Sequence, residues 1–213
     1  MNFSTIFWDN DGTLVDTEGP YFEATKTVLA TVGLNLEREW YIERWIRNGK
    51  STFDWVKEQG ISEESIAQLQ LERDALYMTY LKTGKIPVMD GVFEVLQALH
   101  GKIPMGIVTS SRPDHLAEIM KSTGLGIYFD FFITPEDVPR AKPFPDPYLL
   151  AWGKSGFEKK QCLVIEDNER GLRAAKAAGL TCFVVPNELS RDNDLSQADR
   201  VLGKLSDVLP LIY

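Results

Sequence analysis

Two carboxylates stand two positions apart in Asp9-Asn10-Asp11-Gly12-Thr13. Side chains at that spacing share a face while the chain is extended. Together they can hold a hard divalent cation through oxygen. They can also divide labour, one attacking and one carrying protons. Gly12 permits the tight turn that takes the chain away from such a site. Asp before Gly is equally common in plain turns. Three further polar clusters follow. Thr109-Ser110-Ser111 offers hydroxyls and N–H groups suited to a phosphate, or an N-cap for a helix opening near Pro113. Lys142 lies in Arg140-Ala141-Lys142-Pro143-Phe144-Pro145-Asp146-Pro147, a loop stiffened by its prolines. There it can place a point charge over a phosphate, or be an ordinary solvated lysine. Glu166-Asp167 can complete a cation site with Asp9 and Asp11, or cap the next helix.

Each cluster stands at or near the end of a short apolar run. Phe3–Trp8, Ile103–Val108, Phe131–Ile133, Cys162–Ile165 and Thr181–Val185 read as buried parallel strands. Between them lie helical patterns. Val92, Val95, Leu96 and Leu99 mark one helix face before Gly101, and Leu116, Ile119 and Met120 mark another before Gly124. The Ala-rich stretch from Leu172 to Ala178 closes at Gly179. Strand and helix in alternation predict an α/β fold: a doubly wound, parallel-sheet, Rossmann-like core. In such sheets ligands bind at the carboxyl ends of the strands. Residues 16–81 break the rhythm. Tyr21–Thr31, Glu39–Arg47, Thr52–Gln59 and Ser62–Leu81 read as helices, and Trp40, Trp45 and Trp55 fall here. The expected organisation is a core of residues 1–15 and 82–213 with residues 16–81 inserted as a helical cap domain. Asp16–Pro20 and Thr83–Met89 are its expected hinges. The cap tryptophans are read as packing.

Composition narrows the function. Among 213 residues, Lys and Arg number 23 and Asp and Glu 31, a net charge of −8. That disfavours a nucleic-acid partner and an anionic membrane surface. An anionic substrate must find a local positive site. No apolar run approaches the ~20 residues of a membrane span, and Met1–Trp8 does not read as a leader. Cys162 and Cys182 sit in apolar runs and read as buried, reduced thiols. A cytoplasmic, monomeric protein is the expectation.

The four clusters, in this order, resemble the four motifs of the haloacid dehalogenase superfamily. Phe7-Trp8-Asp9-Asn10-Asp11-Gly12-Thr13-Leu14-Val15-Asp16-Thr17-Glu18 is similar to the first motif. Thr109 matches the second, and Lys142-Pro143-Phe144-Pro145-Asp146 the third. Glu166-Asp167-Asn168, with Gly171, Ala174, Ala175 and Gly179, matches the fourth. The pattern is nearest the β-phosphoglucomutase-like branch, which carries a helical cap after the first motif. The resemblance implies a Mg²⁺-dependent phosphatase acting on a small phosphorylated metabolite, such as a sugar phosphate. Asp9 would be the nucleophile that forms an aspartyl-phosphate, and Asp11 the acid and then the base. Thr109, Ser110 and Lys142 would hold the phosphoryl group. Asp9, Asp11 (through its backbone carbonyl), Glu166 and Asp167 would bind Mg²⁺. Arg47 and Lys50, in the cap loop Arg47-Asn48-Gly49-Lys50-Ser51, are expected to read the rest of the substrate.

The chain departs from the mutases of that branch. Tyr21 stands where they carry a cap-hinge histidine, and Thr52 where they carry a cap-loop arginine. Arg112-Pro113 replaces their Lys-Asn pair. Hydrolysis is therefore favoured over the alternative of a sugar phosphomutase. A non-catalytic phospholigand-binding protein is a second alternative, disfavoured by the presence of both Asp9 and Asp11.

Overall fold

The structure, a computed structural model, describes residues 3–212. Met1, Asn2 and Tyr213 lie outside them, and so does the start of the Met1–Trp8 stretch. Six strands form one parallel sheet: β1 (Thr5–Trp8), β2 (Met105–Val108), β3 (Phe131–Ile133), β4 (Cys162–Glu166), β5 (Thr181–Val184) and β6 (Arg200–Val201). Their order is β3-β2-β1-β4-β5-β6, so the chain winds outward in both directions from β1. Trp8 is in register with Ile107 on one side and Ile165 on the other. The residues that follow β1, β2 and β4 therefore emerge side by side. β6 has no counterpart in the sequence reading. It is an exposed two-residue edge, too short and polar to form an apolar run.

Alternation along β1 divides the core. Ile6 and Trp8 face one layer, with α5 (Val92–Leu99) and α6 (Pro113–Thr123). Phe7 faces the other, with α7 (Asp146–Ser155) and α8 (Glu169–Ala177). Cys162 and Cys182 are buried, free thiols in that second layer. No described helix is long and apolar enough to cross a membrane.

The helices between β1 and α5 are α1 (Glu18–Ala30), α2 (Arg38–Tyr41), α3 (Thr52–Glu58) and α4 (Glu63–Thr83). They enclose their own apolar cluster, including Phe22, Leu29, Tyr41, Phe53 and Val56. α1 begins three residues before the expected Tyr21. Thr17 precedes it without donating or accepting a side-chain cap bond, because its hydroxyl is used elsewhere. Residues 42–47, expected as plain α-helix, widen into a π turn. The chain's way out and way back are stitched together. Asp16 N–H donates to the Pro87 carbonyl and Met89 N–H to Leu14, each at 2.9 Å. α4 also packs on α6, and its Tyr77 and Leu81 join the core cluster of the first layer.

Candidate active site

Asp9 directly follows β1, and its N–H still donates to the Ile165 carbonyl at 2.9 Å. The sheet ladder thus fixes its backbone. Lys142 reaches in from the proline-rich loop after β3. Its Nζ donates to Asp9 Oδ1 at 2.6 Å, Glu166 Oε1 at 2.6 Å and the Val108 carbonyl at 2.7 Å. Only 2% of the Lys142 side chain is exposed, so it is not a solvated surface lysine. Tyr148 donates to the same Glu166 oxygen at 2.5 Å. Ligand oxygens of Asp9, Glu166 and Asp167 lie within 4.8 Å of one another.

Three buried carboxylates around one ammonium leave negative charge in excess. Burial, then the Glu166 charge, pushes Asp9 up to about 7, against the pull of Lys142. Asp167 is raised well above the usual carboxylate range by burial, then by Asp9 and Glu166. Burial would lower Lys142, but the Asp9 and Glu166 charges outweigh it and raise the ammonium. Glu166 Oε2 is buried with no hydrogen-bond partner among the described residues. A hard divalent cation suits this donor set: it would neutralise the excess and use the orphaned oxygen.

The Asp11 carboxylate turns away from that cluster. It accepts from Thr17 at 2.5 Å, Ser111 at 2.7 Å and Thr109 at 3.1 Å. The hydroxyls after β2 therefore do not cap α6, whose N-cap is Arg112, without a side-chain cap bond. Glu166 and Asp167 do not cap α8 either. Asn168 does so, accepting from Gly171 N–H at 3.0 Å. At α8 a dedicated residue stands one position closer to the helix than Asp167, whereas before α6 the hydroxyls of Thr109 and Ser111 are taken by Asp11. Gly171 is required here, since a Cβ at that position would collide with the Glu166 carboxylate.

Asp9, Asp11, Ser110 and Ser111 open onto a cleft between the core and the inserted helices. Ser110 Oγ is buried without a partner. The opposite wall holds Glu18, Tyr21, Trp45 and Tyr77. His115 and Arg170 complete it from α6 and α8. Neither Arg47 nor Lys50 lines this cleft. Arg47 pairs with Glu43 at 2.9 Å and approaches Asp192 at 3.8 Å, and Lys50 is exposed. Trp40 and Trp55 pack on each other at 4.8 Å, as packing residues should, but Trp45 faces the cleft.

Several site residues escaped the sequence reading. Asn187, in the loop after β5, donates to Asp167 Oδ2 at 2.8 Å and to the Gly12 carbonyl at 3.2 Å. Glu18 is pushed up to about 7 by burial, then by Asp11, while Arg170 pulls it down. Burial lowers the His115 pKa, which favours its neutral ring. For Asn187 and Arg170 no local pattern announces a role. Glu18 alone carried a signal, as the last acid of the first motif.

The sequence profile of the haloacid dehalogenase-like hydrolases matches residues 6–185. The chain belongs to this family. It is 31% identical over 183 residues to fructose-1-phosphate phosphatase YqaB of Escherichia coli strain K12. That alignment covers 84% of this chain and 94% of the relative. It is 28% identical to protein CbbY of Rhodobacter capsulatus, covering 97% of this chain and 95% of that one. The crystal structure of CbbY from Rhodobacter sphaeroides in complex with phosphate shares this hydrolase's fold. The TM-score is 0.86 at 24% identity, over 97% of this chain and 96% of the other.

Proposed function

We propose that this hydrolase is a Mg²⁺-dependent phosphatase of a small phosphorylated metabolite. The observation that carries the reading is Asp9. It sits at the end of the central strand, oriented by Lys142, beside an orphaned hydroxyl and an over-charged acidic cluster. Relatives named for phosphatase activity on fructose 1-phosphate and phosphoglycolate support the substrate class.

Lys142 holds Asp9 Oδ1, leaving Oδ2 with only a long contact from Thr13 at 3.4 Å. Oδ2 is the oxygen free to attack phosphorus. As the Asp9–phosphorus bond forms, the ester oxygen–phosphorus bond breaks. Asp11, protonated for this step, gives its proton to the leaving oxygen. Water then attacks phosphorus, Asp11 takes back a proton, and the bond to Asp9 breaks. Ser110 and Thr109 supply hydroxyls to the phosphoryl oxygens, with Lys142 balancing charge. Thr109 must release Asp11 to do so. Asp9, Glu166 and Asp167 would hold Mg²⁺, with Asn187 and Asn168 orienting Asp167. When bound, Mg²⁺ supplies charge neutralisation for the phosphoryl group. Residues 16–81 serve as a cap that excludes water during reaction.

Phosphate release from a panel of sugar phosphates and short phosphoesters, with Mg²⁺ and with chelator, tests the reading. Chelator-sensitive release is expected. Isomer conversion without release would replace it with a mutase. Binding without either reaction would replace it with a phospholigand-binding protein.

A further inference from the structure

Arg170 is a buried cation that no carboxylate of the described residues contacts directly, although its charge lowers the Glu18 pKa. It projects from the first turn of α8 and is 9% exposed. No carboxylate oxygen of the described residues comes within the 4 Å that defines an ion pair with it, and its Nε is buried without a hydrogen-bond partner. Its guanidinium lies 4.9 Å from the Trp45 ring centre, and that ring stacks in turn on Tyr21. Gly49 lets the insert approach closely, since a Cβ there would sit 3.0 Å from Arg170 Cδ. The other arginine of the cleft, Arg112, is already engaged by Asp114 at 3.1 Å and Asp74 at 3.5 Å.

A guanidinium withdrawn from water with no carboxylate in contact is costly, and an incoming anion offsets that cost. Its planar fork matches phosphate and carboxylate oxygens two at a time. In the proposed mechanism the reacting phosphoryl group already has Lys142, Thr109 and Ser110. Arg170 is thus free for a different group. We propose that Arg170 determines specificity by binding a second oxyanion, phosphate or carboxylate, at the end of the substrate remote from the scissile ester. Trp45 keeps the fork flat and aimed into the cleft. The inference rests on the hydrolase reading for the identity of the first phosphate.

Non-hydrolysable ligands test it independently of turnover. Calorimetry with Mg²⁺ would compare a five-carbon alkane bisphosphonate, the matching phosphono-carboxylate and the monophosphonate. A ligand with the second oxyanion should bind the wild-type protein about tenfold to a hundredfold more tightly. Arg170→Met keeps much of the packing volume and should bring that ratio close to one. Arg170→Lys, which keeps charge but loses the fork, should fall between. Whichever doubly anionic ligand binds better names the oxyanion. Equal affinities for all three ligands in the wild-type protein would overturn the proposal, and that comparison needs no folded variant. A ratio unchanged in Arg170→Met would overturn it too, since a merely structural arginine would weaken every ligand alike. An intact ratio with no phosphate release from any ester would sink the hydrolase reading alone.

Discussion

The cleft has two unlike walls. The core wall presents Asp9, behind which Lys142 joins Asp9 and Glu166 by contacts of 2.6 Å, and these three and Asp167 are almost fully buried. The insert wall carries Tyr21 and Trp45 on α1 and a π turn, held by ring stacking and by a cation over a ring. The first is set by the hydrogen-bond ladder of the sheet, where neighbouring strands leave little freedom. The second depends on a smaller apolar cluster and on how the insert rests against α8. On the readings proposed above, bond-making belongs to the strand ends of the core, and substrate choice to the place where the insert meets Arg170.

Breaking the core wall should have the largest effect. Asp9→Asn should lower kcat by on the order of 10⁴-fold or more while the fold persists. Steady-state assays beside a circular-dichroism melt would check this, and substantial residual turnover would remove Asp9 as nucleophile. Next in size is Lys142→Met, which strips the only cation contacting Asp9 and Glu166 among the described residues. It should cost about 3–5 kcal/mol of stability by denaturant titration. A neutral outcome would show that the acids protonate freely without it.

Proton linkage gives the third test. Asp9 at about 7 lies above its ordinary 3.8. Between those values the metal-free fold binds more protons than the unfolded chain, so stability falls as pH rises through that window. A cation binding the ionised acids opposes this. The rise in melting temperature on adding Mg²⁺ should therefore grow from about pH 5 to about pH 8. A pH-independent rise would argue against Asp9 as a ligand.

The insert wall should respond more mildly. Trp45→Ala should lower kcat/KM by about tenfold or less, mainly through KM, as loss of one cation–ring contact predicts. A fall confined to kcat would erase the contrast between the walls. Smallest is Ser62→Ala. Ser62 caps α4 by accepting from Ser65 N–H at 3.2 Å, and its loss should cost about 1 kcal/mol of stability without altering turnover.

The core was legible because its signals are local. Phe3–Trp8 followed by two aspartates announces a buried strand and a polar exit within a dozen residues, and β1, β2 and β4 appear within two residues of their expected ends. Lys142 was readable by residue type and a stiff loop, although its contacts with Asp9 and Val108 cross long stretches of chain. The insert was legible as helices but not as a surface. Helical periodicity does not announce the π turn at 42–47, which helps decide where Trp45 faces. Arg47 and Lys50 were the nearest charges in sequence, yet a core residue far along the chain, Arg170, meets the cleft instead.

The amino-acid sequence by itself determined the parallel core, the inserted helices and the order in which acids, hydroxyls and a lysine reach the strand ends. Apolar runs and the polar residues after them are nearest-neighbour information. Tertiary structure alone decided that Asp11 is held by three hydroxyls rather than by the acidic cluster, that Asn187 steadies Asp167, and that Arg170 is left unpaired beneath Trp45. Those facts depend on which surfaces meet when strand ends, loops and insert assemble, and no local pattern encodes which side chains meet there.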